Sequence, residues 1–81
     1  MDFEPGDIWD YIDMQSSLMV RISKYEIFNL DEKDYERFIL EVLKVHEDKD
    51  NKYEKGHMFT RERPVGALEE EVGWSLTRIT E

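Results

Sequence analysis

From Asp31 to Asp48 the apolar residues fall into a helical rhythm. Tyr35, Phe38, Ile39, Val42, Leu43 and His46 recur at intervals of three and four, the spacing that places side chains on one buried stripe of a helix. Asp31 stands where an N-cap belongs, and Glu32 and Asp34 fall in the first turn, where the helix dipole favours acids. Leu30 and Tyr35 occupy the N′ and N4 positions of a hydrophobic staple. These signals predict an amphipathic helix over residues 31–48. On its polar side Lys33, Arg37 and Lys44 lie among Asp34, Glu36, Glu41, Glu47 and Asp48, so that face is expected to be close to neutral.

The flanking segments follow a two-residue rhythm instead. Leu18-Met19-Val20-Arg21-Ile22-Ser23 alternates apolar with polar, as a half-buried strand does. Tyr25-Glu26-Ile27-Phe28 is also strand-prone but one residue out of phase, which predicts a bulge at Ser23 or Lys24. Lys52 to Arg63, with Tyr53, His57, Met58 and Phe59, reads as a strand ended by Pro64. Trp74 to Ile79 alternates cleanly and makes a last strand, and Val65 to Gly73 reads as a loop or one helical turn with Gly73 as its C-terminal cap. Asp7 to Met14 fits a short helix or a strand, with helix slightly preferred. The expected fold is a single α+β domain over residues 1–81. In it, one amphipathic helix packs on a small, mostly antiparallel sheet of about three strands, with a short N-terminal helix or strand. An exposed edge strand in such a sheet makes a homodimer as natural as a monomer.

Composition narrows the function classes. The chain has no cysteine, so neither a disulfide scaffold nor a thiolate metal site is available, and the cytoplasm is the expected compartment. No apolar run approaches the ~20 residues of a membrane span, and the first residues lack the basic and apolar regions of a signal peptide. The net charge is -9 over 81 residues, and its distribution matters more than its sum. Residues 1–20 hold Asp2, Glu4, Asp7, Asp10 and Asp13 without a single base, and Glu69-Glu70-Glu71 forms a second one-signed run. Such fields repel nucleic acid and anionic membranes and steer toward basic surfaces.

No catalytic constellation emerges. The serines have no histidine close in sequence, and the glycines at 6, 56, 66 and 73 match neither the Walker nor the dinucleotide pattern. A calcium loop opening at Asp48 would require an oxygen ligand and then a glycine where Lys52 and Tyr53 stand. His46 and His57 lack the further pair of ligands that a zinc site needs. Accordingly no enzyme chemistry, metal or cofactor is expected. Lys49, Lys52, Lys55, Arg61 and Arg63 make a basic strip diluted by Glu47, Asp48, Asp50, Glu54 and Glu62, too weak for direct nucleic-acid binding.

What remains is a partner-binding array of Asp2, Glu4, Asp7, Asp10, Asp13, Glu69, Glu70 and Glu71, with Trp9 and Tyr11 as aromatic anchors. Spaced carboxylates can stand in for a row of phosphates opposite lysine and arginine. The expected partner is therefore a basic, nucleic-acid-binding protein. Because the predicted helix is internally neutralised, reversing Asp7 and Asp10 is expected to weaken binding more than reversing Glu36 and Glu41.

In size, acidity, absence of cysteine and α+β pattern the chain resembles the small phage-encoded inhibitors that mimic DNA and disable host nucleic-acid-binding proteins. Nucleoid proteins, RNA polymerase, restriction enzymes and uracil-DNA glycosylase are targets of that class. Gln15-Ser16-Ser17-Leu18-Met19 is similar to the Gln-Glu-Ser-Ile-Leu stretch of the uracil-DNA glycosylase inhibitor, with Ser16 in place of that motif's glutamate. The resemblance implies inhibition by occupation of a basic surface. An immunity protein or antitoxin against a basic toxin, and an accessory assembly subunit, share the same composition.

Overall fold

Between Leu30 and Lys33 the chain reverses direction in two residues. Asp31 and Glu32 both have positive φ, 52° and 65°, the handedness of a type I′ hairpin turn, whose twist matches that of the strands it joins. In this computed structural model, which describes residues 3–79, the two arms of that hairpin dominate the fold. β2 runs Ser16–Leu30 and β3 runs Lys33–Asp48. The other elements are β1 (Ile8–Asp13), β4 (Met58–Pro64), the single helical turn α1 (Glu69–Val72) and β5 (Trp74–Arg78). All strand pairs are antiparallel, in one five-stranded sheet of order β4-β3-β2-β1-β5.

The expected amphipathic helix over 31–48 is therefore corrected: that segment is β3, and the fold is nearly all β, not a helix on a three-stranded sheet. Burial along β3 has a period of two. Phe38, Leu40 and Val42 are fully buried and Glu36 nearly so, while Arg37, Ile39, Glu41 and Leu43 turn to the other face, half-buried. Apolar residues on both faces of a strand also satisfy the three-and-four spacing of a helix, so the periodicity was ambiguous. Pairing with β2 along the whole length of β3 decided it. Asp31 and Glu32, read as cap and first turn, are the hairpin's two central residues. The N-terminal segment, expected as a short helix or a strand, is the strand β1.

Other expectations hold locally. The register shifts between Ile22 and Lys24, the site of the expected bulge, and this lets Tyr25 rejoin the buried face after Ile22. Trp74–Arg78 is a strand, and Gly73, with φ 82°, caps α1 by donating its N–H to the Glu69 carbonyl. The strand expected from Lys52 begins only at Met58, and Pro64 is its last residue, opposite Tyr35 on a sheet edge where a missing N–H costs least.

Curvature follows from strand length. A straight strand as long as β3 would reach ~50 Å, yet the longest dimension of the molecule is 36 Å. Shifts at Ser17/Leu18, Met19/Val20 and Ile22/Lys24 bend β2 and its partner, since each bulge adds local twist and a kink. The sheet coils around a core of Trp9 and Tyr11 from β1, Leu18, Val20 and Ile22 from β2, Phe38, Leu40 and Val42 from β3, and Trp74 from β5. Coiling also brings β4 to face the opposite side of the sheet. Arg61 on β4 donates to the Tyr11 hydroxyl on β1 at 3.0 Å, and the Arg63 guanidinium lies 4.8 Å from the Trp74 ring on β5. Among the described residues no helix is long and apolar enough to cross a membrane.

Candidate partner-binding surface

The acidic array does not form one surface. Its best-defined part lies where the β1–β2 turn meets α1. Asp13 ends β1, and both of its carboxylate oxygens are in use: one accepts the Tyr11 hydroxyl at 2.7 Å and the other the Gln15 amide at 2.9 Å. Those bonds hold the turn and fix the direction of the carboxylate. Burial, and after it the neighbouring Asp13 carboxylate, pushes the Tyr11 phenol well above the ordinary tyrosine range, so it stays protonated and keeps donating to Asp13.

On the other side, buried Trp74 anchors the start of β5, and the Gly73 cap sets the angle at which α1 precedes it. Glu69, Glu70 and Glu71 are all exposed, at the end of the short helix where acids are favoured. Pairing of Asp13 with Trp74 across β1 and β5 places the two parts together. The result is a groove of about 510 Å³ lined by Ile12, Asp13, Met14, Glu69, Glu70 and Gly73. Among the described residues no lysine or arginine lines it. Ile12 and Met14, 44% and 82% exposed, add an apolar component that charge reading alone did not find. The only signal for Ile12 was its place between Tyr11 and Asp13, on the face of β1 opposite the core.

The remaining acids lie elsewhere. Asp10 sits on the outer face of β1, 3.7 Å from His46 Nε2. Asp7 accepts the Glu4 amide at 3.1 Å in the hook before β1, and it lines a second groove of about 390 Å³ together with Arg78. Glu4 is exposed, and Asp2 lies outside the described residues. Trp9 and Tyr11, expected as aromatic anchors of the interface, are 7% and 0% exposed and belong to the core. The Trp9 indole N–H is buried without a hydrogen-bond partner among the described residues. Ser16, at the stretch resembling the glycosylase inhibitor, is buried at the start of β2, with its hydroxyl donating to Asp48 at 3.4 Å.

Two side chains of the basic strip point inward. Arg63 donates to the buried Glu36 at 2.6 Å, with side-chain exposures of 15% and 7%, and Tyr25 donates to the other Glu36 oxygen at 2.6 Å. The guanidinium also packs 5.2 Å from the Phe38 ring and 5.7 Å from that of Phe3, contacts in which a cation gains from the ring faces. Arg61 bonds the hydroxyls of Tyr11 and Tyr53, at 3.0 and 2.6 Å. Glu36 is thus not a surface acid that could be reversed as a control for Asp7 and Asp10, as the helical reading assumed. On the outer face of the β2–β3 hairpin, Arg37 is shared between Glu26 and Glu62. Hydrogen bonding to Arg37 lowers the Glu26 carboxyl below its ordinary value.

Among the described residues no group of three or more histidines and acids is placed to hold a metal ion. Searches of protein-family models, curated proteins and solved structures find nothing that matches this chain.

Proposed function

We propose that this protein is a non-catalytic binding module that offers the groove at Asp13, Glu69 and Glu70 to a basic surface of a partner protein, a surface of the kind that otherwise holds nucleic acid. One observation carries the reading. These carboxylates surround a groove that no lysine or arginine lines among the described residues, whereas Glu26, Glu36, Glu41 and Glu62 each have an arginine partner. Glu69 and Glu70, held beside apolar surface and without an ion-pair partner among the described residues, suit lysine or arginine arriving from another molecule, while Arg61 already offsets part of the Asp13 charge. Ile12 and Met14 can take the methylene stems of those side chains. With Arg61 and Arg63 engaged inside the sheet, the outward field stays acidic, which favours steering toward basic proteins over nucleic acid.

The test is affinity capture from lysate with the intact chain and with the Glu69→Lys, Glu70→Lys double variant, at ~50 and ~200 mM salt, followed by competition of each captured protein with duplex DNA. The reading expects basic proteins that are lost at the higher salt, are not captured by the variant, and are displaced by DNA. A partner set without basic bias, or one the variant captures equally well, contradicts it. Displacement by DNA separates a nucleic-acid mimic from an assembly subunit that binds elsewhere on its partner.

A further inference from the structure

The two edges of the sheet are built differently. β4 ends in Arg61-Glu62-Arg63-Pro64, and charge and proline are the usual means of keeping an edge strand from pairing with another chain. β5 reads Trp74-Ser75-Leu76-Thr77-Arg78, with one charge and no proline. Among the described residues β5 pairs with β1 alone. In an antiparallel pair every second residue turns its N–H and C=O away from the neighbouring strand, so the far side of β5 keeps a row of donors and acceptors that β1 does not use. Thr77 and Arg78 are exposed and Ser75 and Leu76 half-buried, which places this row at the surface. The edge starts at the acidic groove: Gly73, directly before β5, lines it with Glu69 and Glu70, and Asp13 stands opposite Trp74.

We infer that β5 accepts an extended basic segment of the partner protein as a sixth, antiparallel strand. Lysine or arginine at alternate positions near the segment's C-terminal end would meet Glu69 and Glu70, which stand on α1 just before β5. This rests on the binding function proposed above and adds the form of the partner to it. Every strand pair in this sheet is antiparallel, and a strand added to β5 in that sense finishes beside Trp74, where the groove lies. Alternation follows from strand geometry, since side chains repeat on one face every second residue, ~7 Å apart. Backbone pairing supplies affinity and the groove supplies specificity, the division of labour in peptide recognition by strand addition. A second copy of this chain is a poor occupant by comparison, because each copy carries a net charge of -9 and β5 itself brings only Arg78.

The intact chain is titrated by calorimetry with four blocked synthetic peptides. The first alternates valine with lysine in its C-terminal half. Two more have the same sequence with every second backbone nitrogen methylated, one for each alternate set, which removes donors along one side of the strand without changing charge. The fourth carries its lysines in the N-terminal half. The expected result is that the first peptide binds and slows hydrogen exchange of β5 amides. One methylated peptide and the N-terminal-lysine peptide should bind at least about tenfold more weakly, and the Glu69→Lys, Glu70→Lys variant should bind none of them. Equal binding of both methylated peptides would overturn strand addition while leaving a charge-based binding surface standing. Failure of every peptide while basic proteins are still captured would do the same. A dimer at micromolar concentration, seen by sedimentation, that excludes the first peptide would give β5 to a second copy and overturn the inference.

Discussion

β4 and the β1–β5 end of the sheet dispose of charge in opposite ways. On β4 the arginines are drawn inward, Arg61 to two tyrosine hydroxyls and Arg63 to Glu36 among aromatic rings, so their charges stabilise the fold and contribute little outside it. At the other end Glu69 and Glu70 have no ion-pair partner among the described residues, and Asp13 accepts from neutral donors with the Arg61 charge close behind the Tyr11 hydroxyl. The chain's acidity is therefore available at the β1–β5 end and not on β4. Net charge alone does not locate the acids that fold-building cations leave unneutralised, and the proposed binding surface rests on those that also share a groove.

The largest effect is expected on the inward side. Arg63→Ala leaves Glu36, 5% exposed, without its cation, and an unpaired buried charge costs about 3–5 kcal/mol. In a domain this small that removes much of the stability, read as the urea midpoint. Replacing the pair together, Glu36→Leu with Arg63→Met, should return stability to within about 1 kcal/mol of the parent, because an apolar pair of similar volume avoids the desolvation of both charges. A loss below about 1 kcal/mol for Arg63→Ala would mean that water reaches Glu36, and the contrast between the two ends would disappear.

An intermediate effect is expected where an acid serves the fold without being buried. Burial alone would raise the Asp48 carboxyl, but the amides of Tyr53 and Lys52 and the Ser16 hydroxyl together lower it from 3.8. Glu26 is lowered from 4.5 by Arg37. With folded values depressed, the unfolded chain binds more protons in that range. The stability these groups contribute is full above about pH 5 and is lost as pH falls through the lowered folded values. Stability of Asp48→Asn followed against pH should fall less steeply below that point. An identical acid limb would show that Asp48 does not carry the dependence.

A smaller gain is expected at the hairpin. Glu32 holds a φ of 65°, which is unfavourable for a residue with a side chain, and Asp-Gly is the preferred pair in this turn. Glu32→Gly should stabilise by about 0.5–1 kcal/mol after the glycine's greater unfolded-state entropy is counted, seen as a higher thermal midpoint. A destabilisation would indicate that the turn is not of this type.

The same turn explains why the fold was only partly legible. Asp31 and Glu32 serve equally well as helix cap and first turn or as hairpin turn, and Phe38 and Val42 inward with Ile39 and Leu43 outward imitate a helical stripe. The strand-forming content of β3, in Tyr35, Phe38, Ile39, Val42 and Val45, was the better guide. The bulge at Ser23 and Lys24 was readable because a phase slip leaves its mark in the sequence, and α1 because Gly73 marks its end. That Arg61 and Arg63 face inward depends on how far the sheet coils, which no local pattern records. The acids of the groove were visible as charge, but Asp13 meets Glu69 and Glu70 only through the pairing of β1 with β5, and Asp10 and Asp7, equal to them in sequence, lie on other surfaces.

The smallest effect on stability is expected at the groove, where exposed charge changes usually stay within about 0.5 kcal/mol, and there binding should change most. The decisive measurement is the affinity of one captured basic partner, by calorimetry at ~50 mM salt, for the parent chain, for Glu69→Lys with Glu70→Lys, and for Glu4→Lys with Asp10→Lys, which make the same change in net charge away from the groove. The account predicts at least about a tenfold loss for the groove pair and a several-fold smaller loss for the other. Equal losses would show that only the overall charge matters, and a larger loss from Glu4 and Asp10 would place the binding surface on the N-terminal hook and the outer face of β1.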